Sequence, residues 1–591
     1  MANWRRFARL AVALATLMTL AALLAGCSLP WQQSQASQLQ QPDLAKDQTL
    51  TMVMRFLDPG MGLAMLDPAQ ALTFDPATFQ AASLLFDSLV TLDAKGQIEP
   101  WGAQSWTVSP DGLAYTFTLR PNQRFSAGAP VIASDYAWSL DRMANPCVTG
   151  DSLGGDDFAF TFLAAVKDAA AFQREGCANG RPTGALTTLI GDALLTDASG
   201  QTLTIRLAQP SSAFLASLAT PLAAVLERGA VTGDNVGRDG AWTSHLTDGA
   251  TGRGGSGMFY LATAASAAYE PGAANVLNKL VFKPNPHWWG QRAGKKLHFS
   301  EIQMLKGDLD TFLIDDSIAY ADRVDFQTLQ QNPAVRRQAY YHEQPLYWVL
   351  TLVFNWTKAP FDDLNARKAF CLAINRAQFN EQVYPGVALP GWHLIPRGAP
   401  GYNPALNGLD GAPATGDSAL AKRYWQAYLA AHPGPAPQVT MVVQSGSSQL
   451  PVLSALTQGW REALGVHASV YVPGMIVMPE PASQQVSALN MGLGYADPHY
   501  AFPEDYTARL GVNLPAADAL LRRADALAEM SQRIPLYQQA EQLYLENVAV
   551  CPLFQRVAAY AQRSWVKGDF GEDGRGVFPN DAWLTGYIAR H

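Results

Sequence analysis

Charge is scarce in this chain of 591 residues, and what there is leans negative: 16% of residues are charged, with 42 Lys and Arg against 50 Asp and Glu, for a net −8. A surface of that sign repels phosphate backbones, which argues against nucleic acid as a partner. Histidines number only nine, and no two sit at metal-ligand spacing, so neither a metal site nor a metal cofactor is expected. There is no Walker loop and no internal repeat. One stretch, Gly252-Arg253-Gly254-Gly255-Ser256-Gly257, fits GxGxxG on paper. A dinucleotide loop needs a strand before it and a helix after it. Here a polar loop precedes and the strand-like Met258-Phe259-Tyr260-Leu261 follows, so the glycines read as a flexible turn. Acidic residues are abundant, and the sequence leaves open that some pair meets in three dimensions. No catalytic signature emerges, and the chain is not expected to be an enzyme.

Long apolar runs are also lacking, with one exception at the start. Arg5, Arg6 and Arg9 form a basic segment, and Leu10 to Ala25 form an apolar run of signal-peptide length, too short to span a bilayer comfortably. It ends in Leu24-Ala25-Gly26-Cys27, which resembles a bacterial lipobox, so Cys27 is the expected lipidation site and residues 1–26 the expected signal peptide. Losing three arginines with that segment would leave a net charge near −11. A lipid-anchored protein outside the membrane is expected, in the periplasm or on the cell surface. Residues 27–48, rich in Gln and Ser, read as a flexible spacer. The remaining length is too great for one core, so several lobes are expected.

Only four further cysteines occur. Cys147 and Cys177 lie in loops rich in Gly, Asn and Pro and are a plausible disulfide, contributing ~3 kcal/mol. Cys371 and Cys551 lie in apolar segments and read as buried free thiols. Ser105 to Leu119 forms a hairpin about Pro110-Asp111-Gly112, and Asp135 to Met143 reads as an amphipathic helix. Ala366, Ala369, Phe370, Ala373 and Ile374 share one face of another helix. A third helix runs from about Ile534 to Val548 and feeds a buried strand, Val548 to Phe554. Strands and helices are mixed throughout, which gives an α/β or α+β class. Rings in loops beside Gly and Pro, among them Trp356, Trp392, Tyr402, Tyr495 and Tyr500, suit either the walls of a small-ligand pocket or lobe-to-lobe packing.

Taken in order, these segments resemble the family 5 extracellular solute-binding proteins, the dipeptide- and oligopeptide-binding components of ABC importers. The most specific stretch runs from Leu85 to Met143: "LFDSLVTLD", then "GQIEPWGAQSWTVSPDGLAYTFTLR", then "FSAGAPVIASDYAWSLDRM". "GSGMFYL", "FKPNPHWWG", "FNWTKAPFDDLNARKAFCLAINR" and "RIPLYQQAEQLYLENVAVCPLF" follow in the family's order, with Met258 where proline is usual. The resemblance implies a mixed α/β, two-lobed clamshell of the second periplasmic-binding-protein class, with an extra inserted domain. Residues 49–85, 201–344 and 556–591 would form lobe I, 86–200 the inserted domain, and 345–555 lobe II.

The resemblance further implies capture without covalent chemistry. A small solute, by default a peptide or peptide-like compound, would be trapped between the lobes of a monomer and delivered to an ABC permease and its ATPase. Closure has a physical logic, because a solute that touches both lobes only when they shut shifts the population toward the closed state. Peptide binders of the family often carry A-D-Y-x-[DE]-P, whose first aspartate meets the peptide's amino group. The matching stretch, Leu493-Gly494-Tyr495-Ala496-Asp497-Pro498, has Gly494 at that position. Losing the carboxylate there leaves a buried ammonium unpaired, a cost of several kcal/mol. Asp497 either substitutes after a loop shift or is a turn residue before proline. Tyr495 and Asp497, with Trp356 and Trp392 as walls, are the candidate ligand contacts. A sugar, opine or metal chelate as cargo, a sensor on the same fold, and a surface-anchored hydrolase remain the alternatives.

Overall fold

Two long strands organise the molecule, and their composition shows why they bury unevenly. Tyr341–Phe354 (YHEQPLYWVLTLVF) starts polar and half-exposed and ends in a mostly apolar run, VLTLVF, that is buried throughout. Cys551–Gln562 is buried over nearly all its length. The computed structural model describes residues 43–54, 62–69, 76–93, 96–149, 163, 165–231, 241–268, 275–322, 331–378, 388–442, 450–472, 484–492, 497–527, 529–568, 570 and 580–591. The chain divides into two compact units, of which Asp47–Ile588 is the main one; in the other, Leu44 bridges Ala589.

The two long strands pair antiparallel in two blocks. Tyr341–Pro345 meets Val557–Ala561, and Val349–Leu352 meets Cys551–Gln555, with a register break between Pro345 and Val349. The Gln555 side chain occupies that break. Its amide donates to the carbonyls of Leu346 (2.8 Å) and Arg397 (2.9 Å), and its oxygen accepts from the Arg397 N–H (3.0 Å). A side-chain amide thus stands in for missing backbone rungs.

Each side of the break carries its own part of one mixed sheet. On one side Thr49–Met54 lies parallel to both Glu301–Lys306 and Tyr320–Ala321, and the antiparallel pair Phe259–Ala268 and Asn275–Pro284 extends the edge. On the other side Tyr341–Phe354 pairs with Val486–Gly492, followed by the parallel strands Gln438–Val442 and His467–Tyr471. Helices Leu364–Leu372, Ser418–Ala431 and Leu450–Leu464 cover this second part. They bury Phe370, Trp425 and Trp460 in one core, with Phe370 edge-on to both indoles. Asp363 and Asp417 cap the first two helices by accepting N–H donors.

A separate four-stranded sheet is inserted early in the chain. Its order is Ala103–Val108, Ala114–Leu119, Thr202–Arg206, Leu194–Thr196, all antiparallel. The first two strands form the hairpin expected at Pro110-Asp111-Gly112, where Gly112 takes φ +71° and Asp111 accepts the Leu113 N–H. Helix Ala133–Ala144 packs on this sheet and shares its core with Phe117, Leu203 and Ile205. Two buried carboxylates tie this region to its neighbours. Asp67 receives a bidentate Arg142 (2.8 and 2.6 Å) and the Trp242 N–H. Asp87 receives the indole N–H groups of Trp101 (2.7 Å) and Trp289 (3.0 Å). Burial pushes the Asp87 carboxyl up to about 7, and the indole hydrogen bonds only partly offset it.

Cys147 is bonded to Cys177, with Cα atoms 5.1 Å apart. Cys371 and Cys551 are not the free thiols expected from their apolar surroundings. They form a second disulfide, with Cα atoms 5.9 Å apart, stapling the end of helix Leu364–Leu372 to the start of the second long strand. A separation of 180 residues hid this neighbourhood from the sequence. Among the described residues no helix is long and apolar enough to cross a membrane.

Candidate functional site

Among the described residues, one edge of strand Val486–Gly492 is covered and the other is paired at a single position. Along the covered edge it pairs rung by rung with Trp348–Phe354. On the far edge, among the described residues, only Val486 meets a strand, at Met441. From Ser487 to Gly492, alternate N–H and C=O groups point outward without a backbone partner among the described residues. An open edge is a template for another extended chain. The sequence VSALNMG contains no proline and no charge to block it.

An aromatic ring closes the end of that edge. Trp348 sits opposite Gly492, and a Cβ on Gly492 would come within 2.7 Å of the indole. Only glycine lets the ring lie this close to the strand backbone. Trp348 also falls inside the register break of the long strands, so the ring stands where the two halves of the sheet meet. Its neighbour Tyr347 donates its hydroxyl to the Gly398 carbonyl, 2.9 Å away. Sequence reasoning passed over Trp348 because it looked for rings in loops beside Gly and Pro, and this ring is in a strand.

The residues expected at the site are spread more widely. Tyr495 and Cys27 lie outside the described residues. Asp497 is 3% exposed and accepts two hydrogen bonds from Arg533, at 2.9 and 2.8 Å, and one from the His499 N–H at 3.0 Å. Both carboxylate oxygens are thereby engaged inside the protein. Trp392 is placed in the lobe's core rather than on a wall: it is 5% exposed, its N–H reaches the Pro413 carbonyl, and the Arg376 guanidinium lies 3.3 Å over its ring. Arg376 is fully buried, and its hydrogen bonds go to the carbonyls of Pro552, Cys371 and Ile374 and to both disulfide sulfurs. Burial drops its guanidinium to about 9. Trp356 is half-buried between two cores, with Arg367 3.8 Å over its ring.

Close to Trp348, a shallow recess is lined by Val349, Pro390, His393, Arg397, Tyr402 and Gln555, among others. Beneath it, Glu541 is wholly buried and accepts the N–H groups of Leu394 (2.7 Å) and Ile395 (2.9 Å). Burial pushes Glu541 up to about 7 against those two donors. The His393 ring, 3.9 Å from Glu541, is dropped to about 4 by burial and by the Arg397 charge, so it is neutral at physiological pH. Among the described residues no group of three or more His, Cys, Asp or Glu side chains could hold a metal ion.

Residues 97–473 match the model of the bacterial extracellular solute-binding proteins, family 5. The chain belongs to that family. It is 25% identical over 525 residues to the periplasmic murein peptide-binding protein MppA of Escherichia coli K12, covering 85% of this chain and 88% of that one. Dipeptide-binding protein DppE of Bacillus subtilis 168 is 23% identical over 509 residues, covering 84% and 86% respectively. The unliganded open form of MppA superposes with a TM-score of 0.69 at 22% identity, over 93% of this chain and 99% of that one. Haemophilus influenzae OppA in complex with the peptide RPPGFSPFR gives 0.66 at 17% identity, over 93% and 100%. The fold is accordingly the mixed α/β, two-lobed periplasmic-binding-protein clamshell. Such a family is made of solute-binding transport proteins rather than enzymes.

Proposed function

We propose that this chain captures a peptide or peptide-like solute between its two lobes by adding it as a strand to the edge Ser487–Gly492, and delivers it unaltered to an ABC permease. The open edge carries the reading. Outward N–H and C=O groups at alternate positions suit a peptide backbone, which supplies the reciprocal donors and acceptors whatever its side chains. Trp348 closes one end as an apolar platform, and Tyr495, three residues beyond Gly492 in sequence, is proposed as a further contact. Asp497 acts indirectly: anchored on Arg533, it fixes the start of the turn Pro498–Ala501. The relatives named above bind murein peptides, dipeptides and an oligopeptide, which supports a peptide as the cargo.

In this reading residues 49–85, 201–344 and 556–591 form lobe I, 86–200 the inserted domain and 345–555 lobe II. Cys27 carries the lipid that holds a monomer outside the membrane, and Cys27→Ser releases the protein in soluble form; persistent membrane association of that variant refutes the anchor. For the capture mechanism, calorimetry with a peptide panel is compared with the same peptides N-methylated at alternate backbone positions. Strand addition requires that methylation in one register abolish binding and in the other leave it nearly intact. Equal binding of both registers removes the proposed mode.

A further inference from the structure

Away from that edge, the segment that follows the inserted sheet's strand Thr202–Arg206 touches lobe II. The Ser212 N–H donates to the Asp525 carbonyl, 3.3 Å away, at the C-terminal end of helix Pro515–Asp525. That carbonyl is one of the orphans every helix end leaves, and its partner comes from a segment distant in sequence. Beside it, the Tyr500 ring packs against both the core of the inserted sheet and the core of lobe II. On the inserted sheet's side, Tyr115 donates its hydroxyl to the Ser211 carbonyl (3.3 Å), close enough to feel the charge of Arg533 on lobe II.

Lobe II supports this contact with a continuous polar chain. His499 Nδ1 lies 3.1 Å from Asp525 Oδ1, which also accepts the Tyr537 hydroxyl at 2.6 Å. Arg533 donates to the Tyr537 oxygen (2.6 Å) and, bidentately, to Asp497. The His499 ring packs edge-on against Tyr500, 5.1 Å between centroids. An aspartate at a helix C-terminus opposes the helix dipole, so its placement here needs the cations that surround it.

We propose that Ser211, Ser212 and Tyr115 on one side, with Tyr500 and the His499–Asp525 pair on the other, form a latch that holds the lobes together outside the solute site. Opening then carries an energetic cost even when the cleft is empty. The latch rests on the two-lobed architecture and not on the identity of the cargo. By favouring the shut form it prepays part of the closure that solute binding otherwise has to drive.

The latch is sensitive to pH through groups on three helices and the Asp497–Tyr500 turn. Burial alone would lower His499, but the Asp525 hydrogen bond and the charges of Asp525, Asp497 and Glu504 together raise it above 6.5. Burial would raise Asp525, but His499, Tyr537 and Arg533 bring it below 3.8. The raised His499 contributes below its unfolded value and is lost as pH climbs through its folded one. The lowered Asp525 contributes above its unfolded value and is lost as pH falls through its folded one. The His499–Asp525 pair that backs the latch is therefore strongest between 3.8 and 6.5.

The test is the distance between spin labels at Val108→Cys on the inserted sheet and Gln539→Cys on lobe II, both exposed, in ligand-free protein at pH 5.5 and pH 9. The parent should show a dominant short distance at pH 5.5 and a longer population at pH 9. His499→Gln should raise the open-to-shut ratio at pH 5.5 roughly tenfold, as loss of a charge-assisted hydrogen bond requires, and should remove the pH dependence. Tyr500→Ala should open the molecule at both pH values. His499 is partly exposed, so its variant keeps the test available if Tyr500→Ala does not fold. Distance distributions for folded His499→Gln that superimpose on the parent at both pH values overturn the latch.

Discussion

Replacing Cys371 and Cys551 together by alanine is the perturbation whose size follows most directly from the structure. This disulfide closes a loop of 180 residues, whereas Cys147–Cys177 closes one of 30. Chain entropy of the unfolded state then assigns ~5 kcal/mol to the first and ~3.5 kcal/mol to the second. Local contacts widen the gap. Cys371 and Cys551 are both buried, so truncation leaves a void, and Arg376 loses two sulfur acceptors while remaining sealed in the core. Cys177 by contrast is exposed. Urea unfolding followed by circular dichroism, on chains lacking one pair or the other, compares the two directly. Cys371→Ala/Cys551→Ala should lower the midpoint further than Cys147→Ala/Cys177→Ala. The opposite order would refute both the loop-length argument and the role given to Arg376.

Three other outcomes follow. Asp497→Ala leaves Arg533 buried without its counter-charge and should cost ~3–5 kcal/mol in thermal or chemical melts, whereas a purely ligand-contacting carboxylate would be silent there. Glu541 and Asp87, both pushed up to about 7, favour folding most below their unfolded values near 4 and lose that advantage as pH climbs toward 7 and beyond. Glu541→Gln should therefore shrink the fall in melting temperature between pH 5 and pH 8; an unchanged fall contradicts the neutral carboxyl. Gly492→Val drives a branched side chain into the Trp348 ring and should abolish peptide binding in calorimetry while the melt of the inserted domain is unaffected.

Local chemistry was legible wherever the residues themselves decided the structure. Pro110-Asp111-Gly112 supplied a turn that needs a positive φ, so the hairpin stands where the pattern put it, whereas helix Leu364–Leu372, capped by Asp363, stops short of the expected Ala373 and Ile374. Boundaries shifted where distant partners intervene. The last long helix starts at Met530, ahead of Pro535, because Arg533 is pinned by Asp497 and holds the first turn in place. The strand after it starts at Cys551 rather than Val548, since Val548 takes a left-handed conformation and spends the intervening residues on the reversal. The candidate site was the least legible part. An open edge is a property of which strand lies beside which, and nothing in VSALNMG announces that its neighbour pairs at a single residue. Trp392 misled for a related reason: a ring beside glycine suits a pocket wall and a cation-covered core position equally well.

The gap between Pro345 and Val349 gives the molecule a mechanical character of its own. A ribbon of two hydrogen-bonded strands is stiff against twisting and against sliding, and yields most easily where rungs are absent. In the proposed clamshell, a bend there would leave the ladders on either side intact. Cargo preference can then drift, through changes at one strand's rim, without retuning how the halves approach one another.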